Sequence, residues 1–110
     1  PVTEGVPETF SMTDELYLFE VFEDEVEPLL TSNYHFDEAR FYSATQAVKE
    51  KKMFCNDGWR HDPGSALVGW TKQVAESRLV YLQGGDDPVA YASPEYQRLI
   101  QNAVHWVADA

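Results

Sequence analysis

Residues 66–87 read ALVGWTKQVAESRLVYLQGGDD, and the pattern inside them sets the fold. Two runs rich in Val, Leu and aromatic residues, 66–74 and 78–83, predict two strands. The residues between them, Ala75-Glu76-Ser77, are the length of a hairpin connection, although no Asn-Gly or Asp-Gly pair marks the turn. Gly84-Gly85-Asp86-Asp87-Pro88 follows the second run directly and predicts a tight turn where a strand ends. Trp70 reads as an anchor of the sheet.

Working outward, Ser93-Pro94-Glu95 opens the clearest helix. Serine is a good N-cap, proline suits the first helical position, and glutamate suits the positive end of the helix dipole. Tyr96, Leu99, Ile100, Ala103, Val104 and Val107 are spaced as its buried stripe, Trp106 as an anchor and His105 as a surface residue. Upstream of the hairpin, FCNDGWRHDPGS (54–65) carries turn signals throughout and predicts a loop. FDEARFYSATQAVKEKK (36–52) predicts a helix capped by Asp37, with Phe41, Ala44, Ala47 and Val48 on one face. EVEPLLTS (25–32) predicts a short strand with Pro28 at an edge or bulge. PVTEGVPET (1–9) is a connection. FSMTDELYLF (10–19) begins with the alternation of a half-buried strand over 9–13 and then meets two carboxylates, Asp14 and Glu15. Acidic residues are poor strand formers and costly to bury unpaired, so they belong either in a solvated turn or in a cleft. The order is strand, strand, helix, loop, hairpin, helix.

At 110 residues with 44% hydrophobic and 14% aromatic content, the chain can build one packed core. Its 19 acidic against 8 basic residues give a net charge of −11, which argues against nucleic acid and anionic membranes as partners. No apolar run approaches the ~20 residues that span a bilayer. The first residues do not form a signal peptide, but the chain starts at proline, so the expectation is that sequence precedes it. One cysteine, Cys55, makes no internal disulfide and leaves the compartment open between cytoplasm and periplasm or exterior.

Taken together, PVTEGVPETFSMTDELY, PLLTS, GWTKQVAESRLVYL, GGDD and LIQNAVHWVA, in that order along nearly the whole chain, resemble the C-terminal half of the ThuA-like (trehalose utilisation) family. The resemblance implies a bacterial protein and an α/β fold: the flavodoxin-like, three-layer sandwich of class I glutamine amidotransferases. Family domains are about twice this length, so residues 1–110 would be a single ThuA-like domain lacking its early parallel strands. The family is tied to carbohydrate metabolism, with no defined reaction. Two departures stand out. Ala75-Glu76-Ser77 replaces a Gly-Lys-Gly type turn, and Asp86 stands where the family has the histidine of a Gly-His turn.

In such a sheet, ligands bind outside the C-terminal ends of strands, which puts Asp14 and Glu15 on the functional rim. Glu15 is the candidate general acid/base, with Asp14 either a ligand contact or a cap of the turn, and Tyr17 of the same DELY element a ligand contact. Gly85 lets backbone approach a ligand, and Asp86 beside it favours a sugar or a hard cation over phosphate. His61, with Trp59 and Arg60, makes a second carbohydrate-binding set. The histidines have no HxH or HExxH spacing, so no metal residues are assigned, and the cofactor is unknown from the sequence. Cys55 lacks the strand-to-helix elbow of an amidotransferase nucleophile. Three functions compete: acid/base chemistry on a sugar-derived small molecule, sugar binding or scaffolding without catalysis, and an interaction module. The last would pair with a second copy or with the rest of its own domain, since a half-domain exposes a strand edge.

Overall fold

The computed structural model describes residues 1–109. Three strands, β1 (Glu27–Thr31), β2 (Leu67–Val74) and β3 (Ser77–Leu82), form one antiparallel sheet in the order β1-β2-β3. Three helices accompany it, α1 (Ala44–Lys49), α2 (Pro88–Tyr91) and α3 (Pro94–Ala108), with single 3-10 turns at Glu23–Glu25 and Glu38–Arg40. The chain is therefore a mixed α and β structure, and no pair of strands among the described residues is parallel.

The predicted hairpin forms, one residue tighter than its spacing implied. Val74 pairs with Ser77, so the turn is only Ala75-Glu76, and Ala75 takes a left-handed φ of 52°. That is the conformation glycine adopts without cost and a Cβ opposes. The register alternates Gly69/Leu82 and Thr71/Val80 with Trp70/Tyr81. Val80 and Leu82 pack into the core. Trp70 lies on the other face, stacked on Tyr81 with centroids 4.0 Å apart, and Phe19 meets Tyr81 edge-on. On β1 the register shifts between Pro28 and Leu30, where proline has no N–H to give the ladder.

Helix α3 supplies the lid of the core. The Ser93 hydroxyl accepts from the Tyr96 N–H at 3.2 Å, and Pro94 begins the helix as expected. Tyr96, Leu99 and Ala103 are buried with Val2, and Phe10, Met12, Leu29, Leu30, Ile100 and Trp106 pack around them. The predicted stripe was too wide: Val104 and Val107 are 58% and 37% exposed. The seam runs through 96, 99, 103 and 106 with Ile100 at its edge, and Val104 and Val107, one step on from 103 and 106, are turned about 100° away from it. Arg78 of β3 fastens the far end, its guanidinium 4.8 Å from the Trp106 ring and donating to the Trp106 carbonyl at 2.8 Å. This combines a cation–π contact with a cation at the helix C-terminus.

Two expectations fail for physical reasons. The helix predicted over 36–52 is broken into a 3-10 turn and the six-residue α1. Phe36 and Phe41 are buried in an aromatic cluster with Tyr34, with centroids 5.4–6.2 Å apart, and holding Phe41 there requires extended backbone (φ −129°, ψ 163°). Asp37 caps the 3-10 turn and Ser43 caps α1, while Val48 is left 76% exposed. The strand predicted over 9–13 does not form. Residues 10–18 alternate half-buried and exposed as a strand would, but they join no ladder. Phe10 and Met12 dock through side chains alone, and the link to the sheet is the Tyr17 N–H donating to the Gln83 side chain at 3.1 Å. Residues 54–65 are loop, tied to the 3-10 turn by Asn56, which donates to the Glu38 and Phe41 carbonyls. No helix of the described residues is long and apolar enough to cross a membrane.

Candidate functional site

Antiparallel order with β2 in the middle makes β1 and β3 run the same way, so their C-terminal ends emerge at one edge of the sheet. There the PLLTS strand and the Gln83-Gly84 end of β3 meet the DELY segment. A cavity of about 500 Å³ opens between them. One wall is Ser11, Met12, Asp14 and Glu15; another is Thr31, Ser32 and Asn33; Gln83, Gly84 and Tyr96 form the floor.

The two adjacent carboxylates of DELY divide their roles. The alternation of the extended segment turns Asp14 inward and Glu15 outward. Asp14 accepts backbone N–H groups from Gly85 at 2.6 Å, Asp86 at 3.2 Å and its own neighbour Glu15 at 2.8 Å. It clamps the GGDD turn onto the DELY segment, and both its oxygens are engaged. Glu15 is exposed at the cavity mouth, held only by the Tyr17 hydroxyl, which donates to it at 3.2 Å. Of the pair, Glu15 is the carboxylate with fewer hydrogen-bond partners and more contact with solvent.

Both glycines are required by space, and Gly85 by φ as well. A Cβ on Gly84 would stand 2.8 Å from Asp14 Oδ2 and 3.0 Å from the Tyr96 ring. Gly85 has φ +128°, and a Cβ there would run into the Tyr91 hydroxyl. Tyr96 donates its hydroxyl to the Gly84 carbonyl at 2.7 Å, and burial, with Tyr91 and Asp14 adding to it, pushes the phenol up to about 12. The Tyr17 phenol is also raised, first by desolvation, then by the Asp86 carboxylate and by the bond and charge of Glu15. Both tyrosines therefore stay neutral hydroxyls at physiological pH.

Asp14, Glu15, Tyr17, Gly85 and Asp86 are neighbours, joined by the hydrogen bonds of Asp14 and Glu15, but of the five only Asp14 and Glu15 line the cavity. Asp86 turns its side chain to solvent and contributes its N–H to Asp14. His61 is not part of that group. Its N–H donates to Glu38 Oε2 at 2.8 Å, and its ring Nδ1 lies 2.6 Å from the Asp62 carbonyl, so Nδ1 carries the proton. Trp59 packs 5.6 Å from the His61 ring, and Arg60 pairs with Glu38 at 3.9 Å. The loop set is thus coherent but built on the 3-10 turn, and none of it lines the cavity. Among the described residues no three of His, Cys, Asp and Glu gather as metal ligands. Sequence reasoning missed Gln83, Tyr96 and the serines 11 and 32. Gln83 had one legible signal, a polar residue ending an apolar strand immediately before two glycines.

A cavity of mixed polar and apolar lining, set between a glycine turn and a carboxylate segment at one edge of the sheet, belongs to a mixed α and β domain. The model of the ThuA family, described as trehalose utilisation, matches residues 1–107, and the chain belongs to that family. Membership ties it to trehalose utilisation and hence to carbohydrate metabolism. No curated protein and no solved structure matches the chain.

Proposed function

We propose that the chain binds a sugar-derived small molecule in the cavity at the DELY rim and acts on it by acid/base chemistry, with Glu15 the group that moves the proton. The observation that carries this reading is the division of labour between the two carboxylates. Asp14 is spent on three backbone N–H groups, whereas Glu15 stands at the cavity mouth with a single hydroxyl partner. Tyr17 orients it, and hydroxyl and amide side chains along both walls match the alternating donors and acceptors of a polyol. The test is Glu15→Gln, which keeps shape and removes the base. Turnover of a sugar substrate should fall about 10²–10⁴-fold while affinity survives. Unchanged turnover would refute the assignment, and unchanged affinity without any turnover in the parent would favour a sugar-binding module.

A second reading concerns what the chain assembles with, and shape supports it. The accessible surface is 7884 Å² where size scaling gives roughly 6,200 Å². The radius of gyration is 15.7 Å against about 13 Å for a compact domain of this length. Beyond Phe19, the Trp70–Tyr81 face of the sheet carries no helix, and Leu79 and Val74 on it are exposed. We propose that this face is covered in the working protein by further secondary structure, from its own domain in the flavodoxin-like arrangement or from a second copy. Sedimentation of residues 1–110 by themselves decides it: a stable compact monomer would overturn the proposal.

A further inference from the structure

Gln83 is the last residue of the hairpin strand's exit and is 8% exposed, so more than nine-tenths of it is buried. Its amide is not free to turn. The Tyr17 backbone N–H points at it from 3.1 Å, and an N–H can bond only to the carbonyl oxygen, which fixes Oε1 there. The Nε2 group is therefore the end directed away from Tyr17, and it donates to no group among the described residues. A sealed, unpartnered nitrogen would be a costly defect. Yet the sole side-chain nitrogen or oxygen both sealed from solvent and unpartnered among the described residues is Oε1 of Gln46, so Gln83 Nε2 keeps an opening, and Gln83 stands in the floor of the cavity.

The polar groups closest to it at the β3 exit are committed elsewhere. The Tyr96 hydroxyl is committed to the Gly84 carbonyl, and the Gly85 and Asp86 N–H groups to Asp14. The cavity wall includes the carboxylates of Glu8, Asp14 and Glu15 and, among the described residues, no lysine, arginine or histidine. An anionic ligand would meet negative charge with no cation to offset it.

Building on the proposed sugar site, we infer that Gln83 is a specificity-determining residue of that site: its locked amide donates to an uncharged oxygen of the ligand, and the site takes neutral sugars and rejects their phosphate esters and uronates. The lock is made by the backbone of the same segment that carries Glu15. Donor and acid/base group thus hold a fixed separation, and a sugar gripped by Gln83 presents a set carbon to Glu15.

The experiment titrates the intact ¹⁵N-labelled protein with trehalose, glucose and glucose 6-phosphate. It follows the Gln83 side-chain NH₂ pair, assigned by its disappearance in Gln83→Glu. That variant keeps an oxygen for the Tyr17 N–H while removing the donor. The inference expects the pair to shift with trehalose or glucose and stay unmoved by the phosphate ester, and it expects binding to Gln83→Glu to weaken about tenfold. If a neutral sugar shifts the backbone amides of Ser11–Glu15 and leaves the Gln83 pair still, the inference falls and the sugar site stands. Preference for glucose 6-phosphate also overturns the inference. If no probe moves any rim resonance, the sugar site itself falls and takes the inference with it.

Discussion

Replacing Asp14 with alanine removes the one side chain that joins the DELY segment to the GGDD turn. The loss divides into a short bond from the part-buried Gly85 N–H at 2.6 Å and two exposed bonds from Asp86 and Glu15. A bond to a charged acceptor contributes about 1.5–3 kcal/mol when shielded, and water replaces most of an exposed one. The sum is about 2–3 kcal/mol, a large share of the ~5–15 kcal/mol that stabilises a domain. With a urea slope of about 1–2 kcal/mol per molar, the unfolding midpoint of Asp14→Ala should fall by about 1–3 M. Asp14→Asn keeps one acceptor oxygen and should lie between alanine and the parent. Amide exchange localises the effect, since the Gly85 N–H should lose its protection in Asp14→Ala while residues 99–103 of α3 change only with global stability. An alanine variant with the parent's midpoint and a protected Gly85 would refute the clamp.

Other consequences are independent of that one. Ala75→Gly should raise stability by about 0.5–1 kcal/mol, because glycine removes the cost of the left-handed φ and gives back part of it as unfolded-chain entropy, and a thermal melt should shift upward by a few degrees. Tyr96 holds its proton more tightly folded than unfolded, so its contribution is complete below pH ~10 and is lost as pH rises toward about 12. Tyr96→Phe should flatten the stability profile in that window and cost about 1 kcal/mol at neutral pH through the lost bond to Gly84.

Much of the fold was legible because its signals are local. Two strand-like runs three residues apart located the hairpin even without an Asn-Gly pair to mark its turn, and Ser93-Pro94-Glu95 located α3 to the residue. The broken helix was not legible, since residues 36–52 carry good helix formers and what breaks them is burial of Phe36 and Phe41 against Tyr34. The same holds for 10–18, whose period of two is a strand's although its backbone finds no strand to pair with. At the site, the sequence could single out Asp14, Glu15 and Gly85 as turn residues following apolar runs, but the strand over 9–13 on which their placement rested does not form. It could not say which carboxylate is spent, because that depends on the N–H groups of Gly85 and Asp86, some 71 residues away in the chain. Gln83 carried a faint signal at the strand end, but its part in the site is set by the Tyr17 backbone 66 residues distant. His61 was drawn in by its neighbours Trp59 and Arg60, but that grouping closes on Glu38 instead.

The most direct test of the sugar site is a crystal structure of the protein soaked with trehalose. The account predicts ligand density in the cavity between Glu15 and the Gln83-Gly84 floor, with a ligand oxygen within hydrogen-bond reach of Gln83 Nε2. Density over Trp59 and His61, with the cavity empty, would contradict it.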